Sequence, residues 1–132
     1  MEIAEITVVI NNKKERATLK YDAAKLIMTF SMANDFKQIY EGYDLYVCLA
    51  KIRKDFPDMK FLCKGAKINV SPSRMSSQMS SGIIAYELTM GRSATREDIV
   101  NIFTYEENDI TNDPQEQVSF YERWLDSLKN KE

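Results

Sequence analysis

The sequence predicts an α+β fold: an antiparallel sheet of about six strands, a central helix packed on one face, and a C-terminal helix. Three observations lead there. The segment 3–31 holds three β-rich stretches parted by turn residues. The segment 44–56 repeats apolar residues at helical spacing, and 113–129 opens on a helix cap and carries a second apolar stripe. At 132 residues the chain has the length of a single domain, 1–132, with enough bulk for a core that needs no staples.

The elements follow in order. Ile3, Ile6, Thr7, Val8, Val9 and Ile10 suit a pleated strand over 3–10. Asn11-Asn12-Lys13 reads as a hairpin turn, because Asn tolerates the left-handed backbone. Ala17, Leu19 and Tyr21 share one face of a strand over 17–21; Asp22-Ala23-Ala24 turns, and 25–31 completes a meander. Residues 36–40 read equally as a short strand or a loop.

Gly42 and Asp44 open the helix 44–56, where Leu45, Cys48, Leu49, Ile52 and Phe56 form one apolar face. Lys51, Arg53 and Lys54 lie toward its C-terminal end, complementing the dipole, and Pro57 stops it. Stretches 60–63, 67–70, 83–90 and 99–105 read as strands. Asp113 suits an N-cap, Pro114 the first helical position, and Glu116 the capping-box spacing. Val118, Tyr121, Trp124, Leu125 and Leu128 form the stripe of this last helix, and the tail 129–132 is expected to fray.

Composition excludes much chemistry. The chain has no His, so Ser-His and Cys-His nucleophiles and His zinc ligands are ruled out. No catalytic residue, metal site or cofactor is indicated. Cys48 and Cys63 sit among apolar neighbours and read as small buried hydrophobes in a reducing compartment. A net charge of -2 does not suit gripping nucleic acid by its phosphates. The start is acidic rather than a basic, apolar leader, and no apolar run spans a membrane, so the expected compartment is the cytoplasm.

Two features offer a binding surface. The first is the Ser-rich segment 71–82. Ser73, Ser76, Ser77, Ser80 and Ser81 supply hydroxyls, Gly82 a permissive backbone and Arg74 a charge, so it can be read as an anion cradle. It lacks the phosphate-loop and dinucleotide patterns, and the plainer reading is a crossover with a short helical turn whose Met75 and Met79 cap the core. The second feature is charge segregation. Residues 97–122 carry Glu97, Asp98, Glu106, Glu107, Asp109, Asp113, Glu116 and Glu122 without a Lys or Arg, whereas 51–74 is rich in both. Such a run forms either an acidic face that speeds docking of a basic partner or a solvated loop leading into an acidic helix start.

Three stretches, KINVSPSRMSSQMSSG (67–82), AYELTMG (85–91) and REDIVNIF (96–103), occur in this order. Together they resemble a group of small bacterial proteins encoded beside polymorphic toxin genes, including contact-dependent inhibition and Rhs systems. The likeness covers roughly 42–105, and Ser81 stands where the pattern carries a second glycine. The resemblance implies an immunity role: the chain binds a cognate toxin domain, a basic nuclease being one candidate, and occludes its active site. Under that reading the candidate partner-binding residues are Arg74, Glu97, Asp98, Phe103, Tyr105, Glu106, Glu107 and Asp109. The alternative is a small-anion-binding or regulatory module built on 71–82. The toxin and the oligomeric state are left open.

Overall fold

The computed structural model describes residues 1–129; residues 130–132, most of the tail expected to fray, lie outside the described residues. In chain order the elements are β1 (Glu2–Ile10), β2 (Lys13–Asp22), β3 (Ile27–Met32), β4 (Lys37–Glu41), α1 (Leu45–Asp55), β5 (Lys60–Leu62), β6 (Val70–Ser71), α2 (Arg74–Met79), β7 (Ile84–Glu87), β8 (Ile99–Asn101) and α3 (Pro114–Lys129). The class is α+β, as expected. The strands form two antiparallel sheets rather than one of six: five in the order β4-β3-β2-β1-β5, and three in the order β6-β7-β8.

The meander follows from local chemistry. Ile10 pairs with Lys13, so the turn is the two residues Asn11 and Asn12, with φ of 51° and 66°. That matches the primed hairpin turns whose twist suits the flanking strands. A turn this short lets β2 begin four residues earlier than its apolar pattern suggests. The Asp22 carboxylate accepts the N–H groups of Ala24 (2.9 Å) and Lys25 (3.0 Å) and closes the next turn. The 36–40 stretch resolves as strand β4, paired to β3.

One face of the large sheet is buried. Ile6, Val8, Ala17, Leu19, Tyr21, Met28, Phe30, Tyr40 and Phe61 point inward, with Ala17 opposite Ile6 and Leu19 opposite Phe30. Ile3 and Ile39 lie on the exposed face, the usual two-sided pattern of an antiparallel sheet. Helix α1 lays Leu45, Cys48, Leu49 and Ile52 on the inner face, all buried. Phe56 then meets Phe30 at 5.3 Å and Phe36 at 5.4 Å between ring centroids.

The expected strand 67–70 is largely absent. Lys64–Ala66 form a 3-10 turn, where the sequence also reads a turn, and of the strand only the two residues of β6 form. The reason is hydrogen bonding to a distant segment: Lys64 N–H donates to Thr104 O (2.8 Å) and Gly65 N–H to Ile102 O (2.8 Å). The expected strand 99–105 ends at Asn101, whose side chain accepts the Phe103 N–H at 2.8 Å and turns the chain.

Helix α3 starts where expected, but its cap differs. Asp113 Oδ1 accepts the Gln115 N–H (3.0 Å), while Glu116 accepts the Thr111 hydroxyl rather than reaching back to Asp113. Its buried side is Gln117 and Trp124; Val118 and Leu125, expected in the stripe, are exposed. The helix packs on polar backbone: Trp124 Nε1 donates to Arg92 O (2.9 Å), and Gln117 Nε2 to Gly65 O (3.0 Å) and Lys67 O (2.8 Å).

Arg53 ties these parts together. It is fully buried and donates to Thr111 O (2.7 Å), Gly65 O (3.2 Å) and Gln117 Oε1 (3.2 Å). Burial pulls its pKa down from the ordinary value, yet a guanidinium keeps its charge. Both cysteines are buried and free, and burial pushes each thiol up to about 11. Among the described residues no helix is long and apolar enough to cross a membrane.

Candidate functional site: a basic groove between the helices

An open groove of about 1130 Å³ lies between α1, the Ser-rich segment and α3. Each wall follows from helix spacing. Helix α1 presents Val47, Lys51 and Lys54, at four- and three-residue steps; α2 presents Arg74, Ser77 and Gln78; α3 presents Pro114, Val118 and Tyr121. Tyr43 and Tyr46 flank the α1 end. Tyr46 is anchored by donating to Val70 O (2.7 Å), and burial pushes its pKa above the ordinary tyrosine value. Tyr43 is 76% exposed and free to contact a visitor.

Three cations line the groove against one carboxylate, Asp44. That carboxylate is buried and already engaged: Oδ1 accepts the Val47 N–H (2.7 Å) and Oδ2 the Ser77 hydroxyl (2.6 Å). The groove is therefore electropositive. Lys51 Nζ donates to Glu41 O (2.6 Å) at one end, and Arg74 is exposed at the other wall.

The Ser-rich segment is a short helix tied down by its own hydroxyls. Ser73 caps α2 by accepting the Ser76 N–H (3.0 Å), and its hydroxyl donates to Ser76 Oγ (3.0 Å). The Ser80 hydroxyl donates to Ser76 O (2.6 Å) and that of Ser81 to Ala23 O (2.9 Å). All five serines of the expected anion cradle thus serve the fold. Ser81 adopts φ 57° and Gly82 φ 83°, and a Cβ on Gly82 would come within 2.7 Å of Asp44 Cγ. Ser81, like Gly82, is thus in the left-handed region.

Met75 and Met79 do not cap the core: they are 68% and 81% exposed, and the buried position of α2 is Ser76. The Ser77 hydroxyl, donating to Asp44, holds α2 against the N-terminus of α1 and leaves the methionines on its solvent side.

The acidic run does not gather into one free face. Glu106 is buried in a network with the basic run: its Oε1 accepts from Lys64 Nζ (2.8 Å) and Lys67 Nζ (2.9 Å), its Oε2 from the N–H groups of Glu107 (3.0 Å) and Asn108 (2.9 Å). The Lys64 bond, then the Asn108 amide, hold its carboxyl down to about 2. Glu87 completes the network through Lys64 and Lys67. For Lys64, burial opposes the charge, but the bonds to Glu106 and Glu87 outweigh it and raise the pKa.

Tyr105, half exposed, accepts from Lys14 Nζ (2.9 Å) and donates to Glu107 (2.9 Å). Asp98 accepts from Arg92 (2.8 Å) and the Thr95 N–H (2.9 Å), while Glu97 is exposed. Phe103 stacks on Tyr21 at 5.3 Å, and Asp109 is exposed with φ 57°. Of the eight sequence candidates, Arg74 lines the groove; Tyr105, Glu106 and Glu107 cluster elsewhere, near Lys14. Tyr43, Lys51, Lys54 and Tyr121 line the groove without being among the sequence candidates. Their signal was present: Lys51 and Lys54 are one turn apart, off the apolar face of α1.

Compared with known proteins, the chain matches no family model and no curated sequence.

Proposed function

We propose that the chain is a binding protein of the immunity type, without catalytic activity of its own, which takes an acidic segment of a cognate toxin domain into the basic groove and thereby covers the toxin's active site. The observation that carries this reading is the composition of the groove: Lys51, Lys54 and Arg74 face a single carboxylate that is already spent inside the fold. Tyrosine and arginine are the residue types that dominate binding energy at protein interfaces, and Tyr43 and Arg74 stand exposed there. Two of the three walls belong to 42–105, the segment that carries the resemblance to toxin-linked proteins. The occupied serine hydroxyls weigh against the small-anion reading, because no free cradle of donors is left.

The test is calorimetric titration of the purified chain with the toxin domain encoded beside it. Arg74→Glu is expected to weaken binding about 100-fold, the scale of a hot-spot residue, and Tyr43→Ala about tenfold. Glu97→Lys and Glu107→Lys are expected to leave affinity within about threefold. The reverse ranking would hand the contact to the acidic run, and absence of binding would overturn the immunity reading.

A further inference from the structure

We infer that two copies of this chain pair edge to edge through β4, joining their large sheets across a two-fold axis at Ile39. The inference is independent of the groove.

The sheet order β4-β3-β2-β1-β5 leaves two outer strands. The β5 side is covered, since Cys63 bridges Tyr105 and the Glu106 N–H donates to Leu62 O (3.3 Å). The β4 side has no strand on it among the described residues. Its free groups can be assigned from the register. Met32 N–H donates to Phe36 O (3.1 Å) and Gly42 N–H to Leu26 O (3.4 Å). Bonded pairs alternate along an antiparallel ladder, so Gln38 and Tyr40 bond β3, and the backbone groups of Lys37, Ile39 and Glu41 point outward.

The side chains of those same three residues are exposed, and Ile39 is 64% exposed. An unpaired edge with an exposed apolar centre invites a partner strand. Proteins guard such edges with charge, but the charges here are arranged as a palindrome. Antiparallel pairing about Ile39 sets Lys37 against Glu41 of the second copy, Glu41 against its Lys37, and Ile39 against Ile39. Opposite charges facing across a strand pair stabilise it, whereas like charges would repel. A self-complementary patch is what a two-fold interface requires.

The strand is also held ready. The Tyr40 hydroxyl donates to Asp55 (2.8 Å) and pins its inner side to α1. At the Glu41 end the carbonyl accepts from Lys51 Nζ (2.6 Å), a flexible side chain that leaves the second lone pair open.

The test is sedimentation equilibrium of the full chain from about 1 to about 300 μM, spanning weak to moderate dimer affinities. Wild type is expected to pass from 15.3 kDa to twice that mass. Lys37→Glu alone and Glu41→Lys alone are each expected to weaken the dimer at least tenfold, and the two together to restore it to within about threefold. Ile39→Pro is expected to abolish the dimer while keeping the monomer's melting temperature, since its N–H faces outward. If that variant misfolds, the charge exchange still decides. A monomer at every concentration, or a dimer indifferent to the single charge reversals, overturns the proposal. A chain that stays monomeric but loses toxin binding on Ile39→Pro assigns the edge to a strand of the toxin and overturns it too.

Discussion

Arg53 and Gly82 show how single residues hold this fold. The Arg53 guanidinium spends its bonds on two backbone carbonyls and an amide oxygen rather than on a carboxylate. Replacing it with Met keeps much of the volume but orphans the Thr111 carbonyl and the Gln117 amide oxygen, while Gly65 O keeps its bond from Gln117 Nε2. At about 1–3 kcal/mol for each buried unsatisfied group, Arg53→Met is expected to cost about 3–5 kcal/mol in urea unfolding. At Gly82 a methyl would strike the buried Asp44 side chain, whereas at Gly91, also at positive φ, it would meet nothing within 4 Å. Gly91→Ala should therefore cost the backbone term alone, about 1–2 kcal/mol, and Gly82→Ala at least about 2 kcal/mol more. Equal losses would show that the Asp44 contact yields freely. Of these residues the sequence exposed only part. An Arg in the last turn of a helix looks the same whether it faces water or carbonyls; buried cysteines, by contrast, were legible from their apolar neighbours.

At the scale of elements, legibility followed the range of the interactions. The meander and α1 were readable because alternation, Asn turns and the Asp44 cap are local. The strands after Pro57 were readable in place but not in extent: β5 to β8 fall on the four stretches read as strands, while their limits are set by bonds such as those between Gly65 and Ile102 and by the Asn101 side chain. Helix α2 inverted its expected polarity, which gives a direct check: Met75→Ser with Met79→Ser should change stability by less than about 0.5 kcal/mol, as exposed positions do. Core positions would lose several times that. The Lys64–Lys67–Glu87–Glu106 network gives another. Glu106 titrates near about 2 in the fold against 4.5 for a free side chain. A depressed acid stabilises above its unfolded pKa and loses that contribution as pH falls toward the folded one. Stability is therefore expected to drop by roughly 2–3 kcal/mol between pH 4.5 and about 2, and Glu106→Gln should flatten that drop in acid-dependent melting curves.

For the whole molecule, the charge pattern misled because sequence distance hides spatial meeting. The basic and acidic runs looked like separate surfaces, but Lys64 and Lys67 fold onto Glu106, and three of the remaining cations, Lys51, Lys54 and Arg74, line the groove. Both sheets feed one core, in which Leu19 and Phe30 cluster with Val70, Ala85 and Ile102. Unfolding is thus expected to be a single transition, and the two thiols, buried and pushed up to about 11, to react with a disulfide reagent only at the rate of global opening. Fast labelling in native buffer would mean that the core opens locally. The Arg53 clamp carries a further consequence, for synthesis. Thr111 follows Arg53 by 58 residues and Gln117 by 64, so at about 5–20 residues per second a ribosome delivers Gln117 about 3–13 s after Arg53. During most of that interval the cation has the Gly65 carbonyl but neither Thr111 O nor Gln117 Oε1, and it resists leaving water. The meander is therefore expected to close before α1 docks, and a nascent chain arrested before Thr111 should remain open to proteases around α1.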